Sequence, residues 1–174
     1  MNTCLYNSPI GVLKISEDEG SITNLSMYSK SEDSTCCVEL QQKQQSIHNN
    51  GQCTGERCSG LLAEACSQID EYFKGQRKQF DLPINYIGTP FQKRVWKELR
   101  NIPYGETRSY EDIAIGVGSP KAVRAVGQAN HRNPILLIIP CHRVIHKNGD
   151  VSGFACGIET KKYLLDLERL HFFK

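Results

Sequence analysis

Five consecutive apolar residues, Ile135-Leu136-Leu137-Ile138-Ile139, run straight into Pro140-Cys141-His142-Arg143. A run with no polar position has no face to give to water, so it is expected to be buried as a strand or extended segment. Whatever folds around it carries Cys141 and His142 to the edge of a core. The sequence on either side is written in helix signals. Thr89-Pro90-Phe91-Gln92 is a capping box with proline at the first helical position, and Phe91, Val95, Leu99 and Ile102 follow at helical spacing until Pro103-Tyr104-Gly105. Ser109-Tyr110-Glu111-Asp112 opens a short helix through Ile115, which Gly116 and Gly118 break. Ser119-Pro120 starts a third helix reaching about Asn130, Asn148-Gly149 marks a tight turn, and a last helix covers about Ile158 to Leu170.

The first half reads differently. Ile10 to Ile15 and Ile22 to Leu25 look like short strands, Leu61 to Phe73 has helical spacing through Leu62, Ala65, Ile69 and Phe73, and Phe80 to Ile84 is extended. Residues 41–59 are rich in Gln, Asn and Gly and predict a polar surface loop. The expected organisation is an α/β N-terminal domain, a small sheet plus a helix, over residues 1–85. A mostly α-helical C-terminal domain containing a helix-turn-helix follows over 86–174.

Charge divides along the same line. Residues 1–85 hold 7 Lys/Arg and 11 Asp/Glu, a net −4, and residues 86–174 hold 14 and 8, a net +6. A basic second half fits a polyanionic partner, and it equally fits an unevenly charged solvated surface. The start, MNTCLYNSPIGVLKIS, has no basic end followed by an apolar stretch, and no apolar run is long enough to span a bilayer. An intracellular chain without a membrane partner is expected, in the nucleus of a eukaryote or the cytoplasm of a prokaryote. The eight cysteines then read as free thiols. Cys36 and Cys37 are adjacent. Cys53 and Cys58 have a loose metal spacing, with Cys4 and His48 as further candidate ligands. A structural zinc needs four ligands and no second clean pair is visible, so no metal is assigned.

Three constellations carry chemistry. Residues 109–130 form a helix-turn-helix in which Ala122, Ala125 and Ala129 share one face while Val123 and Val126 face the core. Lys121 and Arg124 are the charged residues early in its second helix. A helix that reads base edges carries several long polar side chains, whereas an alanine face permits close approach with Arg124 projecting alone, which suits a narrow groove. A structural helical hairpin fits the spacing as well. In Cys141-His142 a histidine backed by a carboxylate would generate a thiolate, and a water would bridge the two if the adjacent side chains point apart. The alternative is a buried structural cysteine. Glu168 shares a helix face with Leu164 and Leu165, so it lies either at the helix edge or buried with His142 as its partner. Asn133-Pro134 would place a turn near the thiol.

In this order the pieces closely resemble the O6-alkylguanine-DNA alkyltransferases. The likeness is carried by Asn133 through Val144, by Thr89-Pro90-Phe91-Gln92 with Val95-Trp96, by Ile102 through Thr107 with Ser109-Tyr110, and by Lys121 through Gly127. It covers roughly residues 86–170. Over residues 1–85 the family carries a variable α/β domain. The resemblance implies that Cys141 accepts the alkyl group, that His142 deprotonates it through a water, and that Glu168 orients His142. It implies that Asn133 is the hinge between the helix-turn-helix and the site, that Arg124 takes the place of the extruded base, and that Tyr110 rotates the nucleotide and donates to it. Val144 and the backbone of Cys141 would meet the base, and Lys161 would contact the active-site loop. Ser119, Lys121, Ala122, Ala125 and Ala129 would line the DNA.

The implied reaction is repair by direct reversal. O6-alkylguanine, with O4-alkylthymine as a further substrate, is flipped from double-stranded DNA at the minor groove, and its alkyl group passes irreversibly to Cys141 in a single turnover by a monomer that requires no cofactor. The loop Val151 to Gly157 departs from the commoner pattern. Phe154 stands where many members have tyrosine, Ala155 where many have serine, and Cys156 where several have glycine or a large residue. Cys156, if exposed in the pocket, is expected to be a second site of modification. Three other readings compete. A lesion binder without transfer would lack Cys141. A cysteine hydrolase built on Cys141, His142 and Asn133 would leave the helix-turn-helix unexplained. A transcription regulator would need a recognition helix richer in polar side chains.

Overall fold

The computed structural model describes residues 1–28, 53–54, 60–151 and 153–172. Strands β1 (Asn2–Ser8), β2 (Gly11–Asp18) and β3 (Ser21–Met27) form an antiparallel meander, and β4 (Cys53–Thr54) adds to the outer side of β1, giving the order β3-β2-β1-β4. Alternation explains the layer. Cys4, Tyr6, Leu13, Ile15, Ile22 and Leu25 point to one side and are buried. Helix α1 (Leu61–Phe73) covers them with Leu62, Ala65, Cys66, Ile69, Tyr72 and Phe73. Each fully buried Leu or Ile in this layer contributes about 1.5–3 kcal/mol relative to exposure. β1 was not read as a strand from sequence. Its buried positions are held by Cys4 and Tyr6, residues that do not stand out as apolar. The polar stretch 41–59 lies outside the described residues except for β4, as do Cys36, Cys37, His48 and Cys58.

The second half is helical. Helix α2 (Pro90–Leu99) starts at the Thr89–Gln92 capping box. Helix α3 (Tyr110–Gly116) starts at a second capping box between Ser109 and Asp112. Helix α4 (Val123–His131) begins later than Ser119-Pro120 suggests. Those two residues first make a turn, with Ala122 N donating to Ser119 O at 2.8 Å and proline at its second position. Trp96 donates from Nε1 to Ala129 O at 2.8 Å and ties α2 to α4. Two strands of two residues each, β5 (Arg108–Ser109) and β6 (Val144–Ile145), pair in parallel and fix the start of α3 beside the segment that follows Cys141. Helix α5 (Ile158–His171) closes the chain. No helix among the described residues is long and apolar enough to cross a membrane.

The two halves are joined by backbone. β3 is one edge of the sheet, and its free groups are taken first by the segment that leads out of the N-terminal half and then by the loop after α4. Ile22 N donates to Pro83 O and Asn85 N to Ile22 O, while Leu25 N donates to Pro134 O at 3.0 Å and Leu136 N to Leu25 O at 2.8 Å. The loop that presents Cys141 is therefore bonded to the N-terminal sheet.

The apolar run is buried throughout, but it is not a strand. After Ile135 bridges to Leu25, the chain coils through tight turns, with Ile138 N bonded to Leu136 O and Ile139 N to Ile135 O. Leu137 sits at φ 68°. That left-handed backbone costs a leucine about 1–3 kcal/mol, and burial of its side chain holds it there.

Candidate active site

Cys141, His142 and Arg143 form one turn of 3-10 helix, and all three are buried. Two asparagines fix it. Asn130, on the inner face of α4, donates to Cys141 O at 3.2 Å. Asn133 accepts from Ile135 N at its Oδ1 and donates from Nδ2 to Ile139 O at 2.7 Å and to Cys141 Sγ at 3.0 Å. Burial pushes the Cys141 thiol up to about 11, against the opposing pull of Asn133 and the ammonium of Lys161. At neutral pH the resting sulfur is a thiol, so any nucleophilic use of it requires a base.

The next residue, His142, carries an imidazole that can act as one. Glu168 of α5 is buried, not at the helix edge, and it accepts from His142 Nε2 at 2.8 Å. It accepts also from Arg143 Nε and Nη2 at 2.9 Å each, from Tyr72 OH at 2.8 Å and from Gly105 N at 3.0 Å. Burial alone would raise the carboxyl, but the bonds from His142 and the guanidinium of Arg143 outweigh it and hold it well below the usual carboxylate range. Burial pushes His142 down, with the Glu168 bond opposing. The ion pair is thus Glu168 with Arg143, while His142 is a neutral imidazole whose Nε2–H points at the carboxylate. That leaves its other nitrogen with the lone pair. Nδ1 is buried and has no hydrogen-bond partner among the described residues. Gly105 is required where it stands. Its φ is +76°, and a Cβ there would lie 2.3 Å from Phe172.

A cavity of about 120 Å³ opens at the thiol. Asn133, Cys141, Phe154, Ala155 and Cys156 line it, and Leu25 to Met27 of β3 form another wall. Cys156 is half-buried in that wall, and burial raises its thiol. Val144 is buried in β6 immediately after the turn. Tyr110, at the start of α3, is buried with its hydroxyl 3.5 Å from Gly153 O, and burial first, then Cys141, raises it above an ordinary tyrosine. Lys161 of α5 is fully buried, its ammonium 5.9 Å from the Tyr110 ring centroid, and burial lowers it.

On the helix-turn-helix, Lys121, Arg124 and Ala125 are exposed, and Ser119 and Ala122 are partly so. Two expectations on α4 are corrected. Ala129 is 2% exposed, turned inward beside the Trp96 contact, so its side chain does not share the outer face of Ala122 and Ala125. Val123 is 37% exposed and does not face the core, which Val126 and Ala129 enter instead. Val123 is the first residue of the helix and is not yet enclosed by neighbouring helices, while Ala129 follows Val126 by three residues and so shares its inward face. Sequence reading missed roles for Tyr72, Asn130, Arg143 and Gly105. The available signals were a hydroxyl on the apolar stripe of α1, an amide on the inner face of α4 and a cation next to Cys141-His142. Among the described residues no group of three or more His, Cys, Asp or Glu is placed to hold a metal.

A helix-turn-helix set against a thiol held by this hydrogen-bond system defines the class of cysteine-bearing DNA alkyltransferases. Residues 1–86 match the 6-O-methylguanine DNA methyltransferase ribonuclease-like domain, and residues 90–170 match the 6-O-methylguanine DNA methyltransferase DNA binding domain. The constitutive methylated-DNA–protein-cysteine methyltransferase of Bacillus subtilis (strain 168) is 48% identical over 166 residues, covering 95% of this chain and 93% of that one. A methylated-DNA–protein-cysteine methyltransferase of Mycobacterium leprae is 42% identical over 163 residues, covering 94% and 89%. The crystal structure of Mycobacterium tuberculosis OGT in complex with DNA superimposes with a TM-score of 0.76 at 39% identity, covering 96% and 92%. The chain belongs to the 6-O-methylguanine DNA methyltransferase family.

Proposed function

We propose that this chain repairs alkylated DNA by direct reversal, drawing O6-alkylguanine, and O4-alkylthymine as a further substrate, out of the duplex and moving the alkyl group once onto Cys141. The observation that carries the reading is a pair of contacts on one turn: Asn133 on the sulfur of Cys141, and Glu168 on the adjacent His142. His142 Nδ1 takes the thiol proton through a water. The sulfur lone pair then forms the S–C bond as the C–O6 bond breaks, and Tyr110, kept protonated by its raised pKa, donates a proton to the leaving base. Lys161 favours the thiolate as it forms. The thioether product offers no bond that a base in the site can hydrolyse, so each molecule acts once.

Arg124 projects from the outer face of α4 and replaces the extruded base, with Ala122 and Ala125 permitting close approach to the minor groove and Ser119 and Lys121 beside the backbone. Val144, Phe154, Ala155, Cys156 and Lys161 surround the base. Residues 86–174 bind DNA and carry the thiol, residues 1–85 support them, and a monomer acts within the cell, in nucleus or cytoplasm by source. Intact-mass measurement after mixing with methylated duplex tests the reading. One methyl group per protein molecule, located on the Cys141 peptide and not rising with time, is expected. Repeated turnover, or DNA bound with no mass gain, contradicts it.

A further inference from the structure

We propose that Tyr72 is a positioning residue for the reaction: its hydroxyl, donating to Glu168 Oε1 beside His142 Nε2, shares the carboxylate with the imidazole and so makes the base at the Cys141 site answerable to helix α1 of the N-terminal half. The inference rests on the reading that His142 is the base.

Tyr72 OH lies 2.8 Å from Glu168 Oε1 and 3.5 Å from His142 Nε2, and His142 Nε2 lies 2.8 Å from the same oxygen. These two donors share that oxygen with each other and with Arg143 Nη2, which donates to it at 2.9 Å. Tyr72 is fully buried, and burial and then Glu168 keep its phenol protonated, so it acts as a donor throughout the working range. Its ring is held edge-on by Phe73 and Tyr104, which fixes where the hydroxyl points. Each hydrogen bond donated to a carboxylate disperses part of its charge. With Tyr72 bonded, Glu168 has less charge left to stabilise a protonated His142, and the imidazole stays neutral with Nδ1 ready to accept. The other groups facing this pair are Arg143 on the same turn, Lys161 on α5 and Tyr104 before β5. None of the three is hydrogen-bonded to the Tyr72 hydroxyl itself.

The sign of the effect separates this role from mere packing. Tyr72→Phe keeps the ring and removes the donor. The His142 midpoint, followed by NMR of histidine-labelled protein, is expected to rise by about half a pH unit or more. The acid limb of single-turnover transfer from methylated duplex should rise with it, slowing transfer several-fold on that limb. Far-UV dichroism and the thermal midpoint show whether the variant is folded, and Tyr72→Leu, which removes ring and hydroxyl together, supplies the packing comparison. A folded Tyr72→Phe protein in which His142 titrates at the same pH as in the native protein, at a lower pH, or in neither protein overturns the proposal. Failure of the underlying reading looks different: native protein would transfer nothing to Cys141, or would transfer with an acid limb that does not follow the His142 midpoint, while the His142 titration would still be readable in both proteins.

Discussion

Asn133 Nδ2 lies 3.0 Å from the sulfur of Cys141 while its Oδ1 accepts from Ile135 N, so one side chain fixes the loop that leaves α4 and also solvates the thiol. Asn133→Ala removes both of these bonds and the one donated to Ile139 O. The thiol, already pushed up to about 11 by burial, should rise further. Losing a hydrogen bond to a charged sulfur costs about 1.5–3 kcal/mol, so transfer should slow by roughly 10- to 100-fold. The pH dependence of the rate of reaction with iodoacetamide reads the thiol directly; an unchanged or lowered titration would exclude this role.

Glu168 is the hub of the buried polar cluster. Glu168→Gln leaves Arg143 without its counter-charge and should cost about 3–5 kcal/mol near neutral pH. A carboxyl held below its unfolded value lends stability that is complete above about pH 4.3 and is lost as the pH falls toward its folded value. The stability gap between native and variant should therefore narrow as pH drops below about 5. Urea unfolding across pH tests this, and a gap independent of pH contradicts it.

Arg124 stands clear of the Cys141 cluster on the exposed face of α4. Arg124→Ala should slow transfer from duplex DNA by about tenfold or more, because an unfilled gap in the base stack costs a few kcal/mol. The reaction of Cys141 with iodoacetamide should be untouched. Equal loss in both assays would mean that the change acts on the fold.

Cys156 shares the cavity with Cys141 and is the more exposed of the two. An excess of a small alkylating reagent should place a second adduct on Cys156, found by peptide mapping. Adduct confined to Cys141 would show that the cavity wall shields it.

Much of this was legible in sequence, unevenly and for identifiable reasons. Capping boxes are local, so Thr89–Gln92 and Ser109–Asp112 announce α2 and α3. The burial of Ile135 to Ile139 was legible, but its conformation was not. Five apolar residues specify only exclusion from water, and the turns follow from Leu25 claiming the backbone of Pro134 and Leu136. Glu168 was open between edge and interior because its helix face holds leucines on one side only. Arg143, Tyr72 and Gly105, which decide the matter, come from three other segments. Tyr72 in particular lies 96 residues from its partner, and nothing in a stripe of apolar residues says which hydroxyl will meet a carboxylate.

The most direct test of the account is transfer of a radiolabelled methyl group from duplex DNA containing O6-methylguanine to the native protein and to Cys141→Ser. Label on the native chain should approach about one per molecule, with none on the variant although it still binds the duplex. Label on both proteins, or on neither, would contradict Cys141 as the acceptor.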